Sequence, residues 1–424
     1  MQDNEAKPFK IDKRLVYEAY KRVKSNRGAA GIDKQTMEEF DKDMSNRLYC
    51  LWNRMSSGSY MPKPVKLVEI PKNNGGKRPL GIPTIEDRIA QMAAVLMISP
   101  RLETIFHENS YGYRPNRSAH QAVAAARERC LVYPWVLDMD ISKFFDTIDH
   151  TLLMKAVELH VEERWILLYI KRWLVVPYET KDGERIERTM GVPQGSVIGP
   201  VLANLFLHYV FDKWMTIHYP QIPFERYADD TTCHCKSREE AETLRSALVA
   251  RFEECKLKLN EDKTKIVYCK SSNNNEDHEG VETSFDFLGF TFRPREARNK
   301  KTRQVFTSFT PAISKKSVQK IHAAMKEWKL VSYQYKSLRM VSDIITPQVR
   351  GWVSYYSRFG KTEFRRKVMN HLNEVLVWWI REKYGRLKTL VVHVARRWFR
   401  KLALRQPTLF YHWTIGYAPR IVQE

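Results

Sequence analysis

The 424-residue sequence has few cysteines and no long apolar segment. Its six cysteines include no repeated Cys-x-x-Cys pair, which argues against a disulfide scaffold and against a structural zinc site. No apolar run reaches the roughly 18 residues that a membrane span needs. The first twenty residues contain four acids and no apolar core of a secretory signal. These absences predict a cytoplasmic protein, and the length predicts two or three domains.

Acidic residues are scarce in the last third of the chain. Residues 293–424 contain 29 Lys and Arg but only 7 Asp and Glu, whereas residues 1–292 contain 42 of each class. The whole net charge of +22, and six of the 11 tryptophans, therefore lie in the last third. Basic residues interleaved with aromatic ones are typical of nucleic-acid-binding surfaces. The alternative, a merely solvated basic face, is disfavoured because so large a one-sided charge repels itself.

The first two thirds of the chain alternate strand-like and helix-like segments. Extended segments at 66–72 and 77–83 flank the turn Asn73-Asn74-Gly75-Gly76, and Thr84 can cap the helix that follows. Further strands are predicted at 135–141, 224–227, 231–235 and 285–292, and helices at 197–218 and from Ser237 to about 256. Cys233-His234-Cys235 lacks a second ligand pair and is predicted to be a core strand.

Beyond residue 311 the apolar period is helical. Ile313, Val318, Ile321, Met325 and Trp328 fall near one face of a helix. Thr346-Pro347 is predicted to end the next helix and to begin another, since proline favours a first turn. Phe364, Val368, Leu372, Val375 and Trp379 line a further helix with basic outer faces. The sequence thus predicts a mixed α/β body followed by a basic, all-helical region.

Three acids are candidates for metal chemistry. Asp229 and Asp230 lie at a strand-to-strand turn, and Asp140 ends a buried strand. A buried strand that ends in an acid is costly unless a cation compensates it. Three converging carboxylates can hold two Mg²⁺ ions, which activate a hydroxyl and stabilise the leaving oxygen in phosphoryl transfer. The alternative for Asp229-Asp230 is ordinary turn chemistry.

An ordered series of motifs resembles group II intron-encoded reverse transcriptases, also called maturases, of the bacterial type. The motifs are Gly28-Ala-Ala-Gly-Ile-Asp33, Ile70-Pro-Lys72 with Lys77-Arg78-Pro-Leu-Gly-Ile-Pro83, Ser110-Tyr-Gly-Tyr-Arg-Pro-Asn-Arg117, Asp138-Met-Asp140-Ile-Ser-Lys-Phe-Phe-Asp146, Gly191-Val-Pro-Gln-Gly-Ser196, Tyr227-Ala-Asp-Asp230, Asn260-Glu-Asp-Lys-Thr264, Phe287-Leu-Gly-Phe290, and Arg350-Gly-Trp352 with Tyr355-Tyr356. So many blocks in the family's order make coincidence negligible.

The resemblance implies an α+β right-hand polymerase. Fingers and a palm with an antiparallel sheet would occupy residues 1–293, and an all-helical thumb or maturase X domain residues 294–383. A short basic helical region at 384–424 resembles the DNA-binding region of family members that lack the His-Asn-His nuclease. Because no cysteine follows residue 269, no endonuclease is expected.

The resemblance also implies roles for individual residues. Asp140, Asp229 and Asp230 would form the catalytic triad and bind two Mg²⁺ ions, assisted by the Ile141 carbonyl. Asp138 is the alternative to Asp140, which is preferred because it directly precedes the Ile-Ser-Lys-Phe-Phe stretch. The residues expected to bind the dNTP are Lys72, Arg78, Phe144, Gln194 and Lys263, with Phe144 excluding a 2′-hydroxyl. Those expected to bind template and primer are Arg114, Arg117, Gly195, Leu288, Gly289 and Arg350.

The function implied by the resemblance is RNA-directed DNA synthesis for a mobile intron. The expected partners are an RNA template, the RNA–DNA hybrid, dNTPs, the chain's own intron RNA and target DNA, with no membrane and a cytoplasmic or nucleoid-associated location in a bacterium. Two alternatives remain: a non-catalytic RNA-binding splicing cofactor, and a domesticated relative that serves defence or repair. The intact Asp triad, Lys72, Arg78 and Phe144 argue against lost catalysis.

Overall fold

The computed structural model describes residues 7–71, 76–276, 278–299, 301–388 and 391–419. Its α-helices in chain order are α1 (Lys13–Ser25), α2 (Met37–Asp41), α3 (Met44–Ser57), α4 (Ile85–Glu103), α5 (Ala119–Arg129), α6 (Phe144–Thr147), α7 (His150–Glu158), α8 (Arg164–Val175), α9 (Gly199–Leu207), α10 (Lys213–His218), α11 (Arg238–Glu254), α12 (Lys315–Glu327), α13 (Leu338–Tyr356), α14 (Lys361–Phe364), α15 (Asn370–Lys383), α16 (Gly385–Lys388) and α17 (Val392–Arg405).

The strands form small sheets rather than one large one. In chain order they are β1 (Val65–Pro71), β2 (Lys77–Ile82), β3 (Trp135–Met139), β4 (Tyr178–Glu179), β5 (Arg185–Ile186), β6 (Phe224–Tyr227), β7 (Asp230–Cys235), β8 (Lys265–Tyr268), β9 (Phe285–Phe287), β10 (Phe290–Arg298) and β11 (Val305–Ile313). The predicted mixture of strands and helices is confirmed.

The chain forms two compact units. Unit 1 comprises residues 1–118 and 137–264, and unit 2 comprises residues 119–136 and 265–424. The predicted domain boundary at 293 lies within β10, which pairs with β11 from Phe290↔Ile313 to Arg298↔Val305. Separating the chain at this point would therefore divide one β-hairpin.

In unit 1, β1 and β2 form the predicted antiparallel pair, in register from Lys66↔Ile82 to Pro71↔Lys77. β4 adds to β1 in parallel, and β5 pairs with β4 at the edge. Helix α4 follows at once and begins as predicted, because the Thr84 hydroxyl oxygen accepts the Asp87 amide at 3.1 Å. This helix is buried on most of its surface, so it forms the centre of the apolar packing in unit 1.

A second β-hairpin in unit 1 consists of β6 and β7, which are paired in register through Tyr227↔Asp230. Cys233, His234 and Cys235 are all buried in β7, so their predicted place in a core strand is confirmed. Glu225 is buried beside His234, and its carboxylate lies 2.6 Å from the His234 Nε2. The apolar helix predicted at 197–218 is present, with a π-helical turn at His208–Asp212 between α9 and α10.

Unit 2 contains the sheet β11-β10-β9 and helices α5 and α12–α17. The single strand predicted at 285–292 is wrong. β9 and β10 are joined by a tight turn at Leu288 and Gly289, whose φ values are +49° and +81°. Two successive positive φ values reverse the chain as in a type I′ hairpin turn. The apolar run of this segment therefore reflects two short buried strands.

The helix break predicted at Thr346-Pro347 is also wrong, because α13 continues through Pro347. Pro347 removes the helical hydrogen bond that the Asp343 carbonyl would accept. The Thr346 hydroxyl donates to the neighbouring Ser342 carbonyl at 2.6 Å and does not replace that bond. Val341, Ile345 and Val349 bury the inner face of α13 on both sides of the proline. Packing therefore retains a helix that local sequence preference would interrupt.

Two further helical details depart from the predicted pattern. Ile313 ends β11 and does not belong to α12. The helix predicted around Phe364–Trp379 is built from α14, a π-helical turn at Arg365–Met369 and α15. Within the described residues, no helix is long and apolar enough to cross a membrane.

Candidate active site

The three predicted catalytic acids belong to two neighbouring pieces of unit 1. Asp140 directly follows β3, whereas Asp229 and Asp230 form the tip of the β6–β7 hairpin. In the sheet, β7 lies between β6 and β3. The sheet order makes β3 a neighbour of the β6–β7 hairpin, and the effect of the Asp140 charge on the pKa of Asp230 shows that the acids lie close together.

Asp140 is held by the segment that the sequence marked as Asn260–Thr264. Its backbone carbonyl accepts the Asn260 amide at 2.8 Å, and Ile141 forms an isolated antiparallel bridge with Leu259. The Asp140 Oδ2 lies 2.8 Å from the Lys263 Nζ. Lys263 therefore supplies the cation that an acid at the end of a buried strand requires.

The hairpin tip has an unusual backbone. Ala228 has a φ of +57°, a conformation that costs a residue other than glycine roughly 1 kcal/mol or more. Gly112 lies against this turn, since a Cβ on Gly112 would come within 2.4 Å of the Ala228 nitrogen. The Tyr111 amide donates to the Arg226 carbonyl at 2.8 Å on the same side. The 110–117 block thus supports the turn through its backbone.

The electrostatics of the three acids are coupled. Asp230 lies at the start of β7, with its side chain exposed to solvent. Desolvation by nearby protein atoms is the largest effect on its pKa, and with the charges of Asp229 and Asp140 it raises that pKa to about 6. Lys263 has a smaller, opposing effect. A carboxylate whose pKa is raised by its neighbours marks an excess of negative charge. Such a site favours a cation with hard oxygen preference.

Within the described ranges, no three His, Cys, Asp or Glu side chains form a ready-made metal-binding cluster. Asp140 is instead paired with Lys263. The donor chemistry nevertheless fits Mg²⁺, because every acid at the site offers carboxylate oxygens. The charges of Asp229 and Asp140 also add to desolvation, the largest effect, in raising the pKa of Asp230. The pairing partner of Asp140 would change on metal binding.

The residues predicted to select the nucleotide lie around α6 and the 191–196 loop. Phe144 is buried, with its ring centroid 5.3 Å from that of Phe145. The Gln194 side-chain Nε2 donates to the Asp146 Oδ1 at 3.3 Å, and the Gln194 backbone carbonyl accepts the Gly81 amide at 2.7 Å. The loop is therefore tied both to the helix that carries Phe144 and to β2.

Gly195 has a structural reason to be glycine. Its φ is +107°, and a Cβ there would lie 2.4 Å from the Gly81 carbonyl oxygen. Lys72 lies outside the described residues, and Arg78 occupies β2 opposite Ile70. The close approach of the loop to β2 thus joins the hairpin that carries Arg78 to the rest of unit 1.

The two arginines of the 110–117 block differ in their surroundings. The Arg114 side chain is only 5% exposed; its Nη1 donates to the His107 and Ser110 carbonyls, and its Nε pairs with Glu103 at 3.0 Å. These contacts give Arg114 a scaffolding role and engage its guanidinium within the protein. Arg117 is exposed and lies over the Tyr111 ring.

The remaining predicted contacts belong to unit 2. The Leu288 carbonyl accepts the Tyr355 hydroxyl at 2.9 Å, and the Gly289 carbonyl accepts the Ser314 amide and the Ser317 hydroxyl, each at 3.0 Å. The β9–β10 turn is thus fixed to the start of α12 and the end of α13. Arg350 is exposed, with its guanidinium 4.9 Å from the Tyr411 ring centroid.

Gly112 and Leu259 are site residues that the sequence did not predict. Each lies in or beside one of the motifs, but the predicted roles fall mainly on charged side chains, whereas these two residues act through the backbone. A glycine between two tyrosines was the available signal for the close approach at Gly112. Nothing in the local sequence marks Leu259.

Comparison with known proteins gives two family matches. Residues 70–292 match the family "Reverse transcriptase (RNA-dependent DNA polymerase)", and residues 318–399 match "Group II intron, maturase-specific domain". The first match alone spans more than half of the chain. It includes all three candidate acids.

Individual relatives agree with these matches. The chain is 31% identical to Protein YkfC of Escherichia coli over 68% of this chain and 83% of that protein. It is 32% identical to the group II intron-encoded protein LtrA of Lactococcus lactis over 47% of this chain, and 29% identical to a putative COX1/OXI3 intron 2 protein of Saccharomyces cerevisiae over 48%. The last two alignments span only 33% and 24% of the respective relatives.

Among solved structures, a telomerase from Candida albicans aligns with 89% of this chain and 67% of its own, at 12% identity and a TM-score of 0.47. The family assignment does not depend on this similarity. It depends on the two family matches and the intron-encoded relatives, which confirm the resemblance seen in the motifs. The chain therefore belongs to the reverse transcriptase (RNA-dependent DNA polymerase) family, and within it to the group II intron-encoded reverse transcriptases with a maturase-specific domain.

Proposed function

We propose that this protein copies RNA into cDNA at the site formed by Asp140, Asp229 and Asp230. Family membership implies nucleotidyl transfer that depends on a divalent metal. The observation that carries the proposal is the shared electrostatic environment of the three acids, in which nearby protein atoms, Asp229 and Asp140 all raise the pKa of Asp230. A cluster of this kind is stabilised when metal ions bind it.

Two Mg²⁺ ions would be held by the three carboxylates, with the Ile141 carbonyl as an additional oxygen donor. When bound, such ions activate the attacking hydroxyl and stabilise the leaving oxygen. Lys263 has a role before that point, because its ammonium neutralises Asp140 at 2.8 Å in the free protein. A long, exposed lysine can leave this pairing and meet a triphosphate as a point charge.

The nucleotide would lie between the acids and the β1–β2 hairpin. Lys72 and Arg78 would bind its phosphates, since arginine can grip them bidentately. Gln194 is well placed to position the base pair, because its loop is tied to both β2 and α6. Phe144 would exclude a 2′-hydroxyl by occupying the space below the sugar.

Template and primer would be contacted by Arg117 and Gly195 of unit 1, and by Leu288, Gly289 and Arg350 of unit 2. In this arrangement residues 1–293 act as fingers and palm of a right hand, 294–383 as thumb and maturase X domain, and 384–424 as a basic DNA-binding region. The maturase-specific match at 318–399 supports the second assignment. Exposed cations on α17 support the third.

A role in splicing and mobility follows from the maturase-specific domain. Relatives are named as intron-encoded proteins and intron maturases. By this proposal the protein binds its own intron RNA, and target DNA, through the basic last third. The basic surface would then serve both DNA synthesis and RNA folding, whereas the acids would serve DNA synthesis alone.

The test is primer extension on an RNA template with dNTPs and Mg²⁺, using the full chain. Wild-type protein should extend the primer, and Asp229→Ala should not, although it should bind the same RNA with unchanged affinity. The matched control is Asp343→Ala, which removes an exposed acid of α13 in unit 2. Extension by Asp229→Ala at near wild-type rate would refute the site, and RNA binding without extension by wild-type protein would favour a splicing cofactor.

A further inference from the structure

A buried ionic network lies beside the turn that carries Asp229. Arg226 precedes Tyr227-Ala228-Asp229-Asp230, and its side chain is fully buried. Its Nε and Nη2 donate to the two carboxylate oxygens of Asp212, at 2.6 and 2.5 Å. Asp212 is fully buried as well. A bidentate pair of this kind fixes the plane of the guanidinium.

The third nitrogen of the guanidinium faces the turn. The Arg226 Nη1 donates to the carbonyl oxygen of Ala228 at 3.1 Å and to the Asn204 Oδ1 at 3.0 Å. The Ala228 carbonyl belongs to the peptide group whose nitrogen is that of Asp229. Holding this carbonyl fixes the orientation of that peptide, and therefore the direction in which the Asp229 side chain leaves the backbone.

Asn204 links this network to the other side of the turn. Its Nδ2 donates to the Gly112 carbonyl at 2.7 Å, and Gly112 is the residue that lies against Ala228. The turn is thus held by hydrogen bonds to Arg226 and by backbone packing against Gly112. The buried Asn204 side chain bonds to both Arg226 and the Gly112 carbonyl, and so connects the two supports.

The π-helical turn at His208–Asp212 explains why two residues eight positions apart reach one guanidinium. In a regular α-helix, positions eight apart differ by about 80° in direction. A π-helical turn has i→i+5 hydrogen bonds and more residues per turn, so it changes the angle between the directions of Asn204 and Asp212. Asn204 and Asp212 accordingly meet Arg226 from α9 and from the end of the π-helical turn.

We propose that Arg226, Asp212 and Asn204 are positioning residues that hold Asp229 in its metal-binding orientation. The proposal rests on the proposed function, because it concerns the same metal site. Ala228 would otherwise relax from its positive φ, and the Asp229 carboxylate would turn with it. The network acts on the metal site through the backbone and does not touch substrate.

The experiment measures metal binding separately from activity. Mn²⁺ is titrated into the full chain and the free ion is followed by electron paramagnetic resonance, with Asp229→Asn as the reference for loss of the site. Asn204→Ala keeps the Arg226–Asp212 pair but removes the link to Gly112. Arg226→Lys keeps the charge but cannot donate to Asp212 and Ala228 in the same fork geometry.

Both variants are expected to weaken Mn²⁺ binding about tenfold and to lower kcat by a similar factor, as supporting residues of metal sites typically do. The KM for dNTP should change less than about twofold, since no variant touches the nucleotide. Gly112→Ala should have the same effect by pushing on the Ala228 nitrogen, and it provides a test that leaves every buried charge in place.

Glu225→Gln is the matched control. Glu225 is also buried on β6, but its bonds to Thr232 and His234 lie on the hairpin away from the tip. The Glu225→Gln variant should have a lower melting temperature than the wild type and should bind Mn²⁺ with unchanged affinity. Wild-type affinity in folded Asn204→Ala and Gly112→Ala, or equal losses in Glu225→Gln, would overturn the proposal. If the wild-type protein binds Mn²⁺ at Asp229 but extends no primer, the proposed polymerase activity is refuted, whereas the proposal that these residues position Asp229 is not.

Discussion

The β6–β7 hairpin and the basic C-terminal region use charge in opposite ways. Behind the hairpin tip, polar side chains are buried and bonded to each other, as in the Arg226–Asp212 ion pair and the Glu225–His234 hydrogen bond. On α17 the cations Arg397, Lys401 and Arg405 are exposed, while Ala395, Phe399 and Ala403 face the core. Buried pairs fix geometry, whereas an exposed row of like charges is available to a polyanion.

This contrast predicts that acids near the hairpin tip control chemistry and not binding. Asp140→Asn should reduce primer extension by about a thousandfold or more, since removing a group that stabilises transferring charge has effects of this size. RNA affinity should not change. Single-turnover extension and RNA titration measure the two quantities.

Asp138→Asn is the control, since Asp138 lies on β3 two residues before Asp140. It should retain extension within a few-fold. Loss of extension in Asp138→Asn together with activity in Asp140→Asn would exchange the two assignments.

Charge reversal on α17 should change binding and leave chemistry intact. Arg397→Glu, Lys401→Glu and Arg405→Glu together remove three cations without touching the buried face. RNA affinity should fall, and the dependence of log affinity on log salt should flatten by up to about 0.7–0.9 for each phosphate that is no longer neutralised. Filter binding at several salt concentrations measures both effects.

The matched triple change in unit 1 is Lys155→Glu, Arg164→Glu and Lys171→Glu, at exposed positions of α7 and α8. This triple variant should leave the dependence of log affinity on log salt nearly unchanged. If the two triple variants show the same dependence, the basic region is only a solvated surface. Two other changes to the basic region would also disturb the fold, so they test RNA binding less directly. Deletion from residue 294 cuts β10, and Arg365, Arg366 and Lys367 already engage Gly416 and Glu363.

Phe144 and Phe145 allow nucleotide selection to be separated from core packing. Both rings are buried, so either change to alanine should cost about 3–5 kcal/mol of unfolding free energy. Only Phe144→Ala should raise the ratio of kcat/KM for an rNTP over its dNTP, by about tenfold or more. An unchanged ratio in folded Phe144→Ala would make Phe144 a core residue alone.

The smallest expected effect is on the pH dependence of stability. Burial lowers the pKa of His208 in unit 1 to about 4 and that of His412 in unit 2 to about 3. Between these values and the ordinary pKa of 6.5, the unfolded chain binds protons that the folded chain does not, so stability should rise with pH across this window. Each histidine contributes at most about 1.4 kcal/mol per pH unit.

Urea unfolding at about pH 4.5, 5.5 and 7 tests this dependence. His412→Gln should flatten it, because glutamine does not titrate. His393→Gln, at an exposed position of α17, is the control and should not. A slope that persists unchanged in His412→Gln would show that other groups cause it.

Local sequence patterns predicted much of this protein because they report short-range physics. The β1–β2 pair, the Thr84 cap, the buried β3 that Asp140 follows and the β6–β7 turn all follow from alternation, capping and turn chemistry. The predicted break at Pro347 was wrong because packing of α13 outweighs a single missing hydrogen bond. The strand predicted at 285–292 was wrong because two positive φ values are invisible in an apolar run.

By itself, the sequence determined the family and the division between a neutral body and a basic last third, and it predicted the three acids as a metal site. Only the tertiary structure decided what the charges do. Arg114 and Arg117 belong to one motif, but one is buried against Glu103 and the other is exposed. Asp212 and Asn204 carry no motif, yet they meet Arg226 behind the catalytic turn. A charge acquires its function from burial and partners, which depend on residues distant in the chain and therefore on the fold.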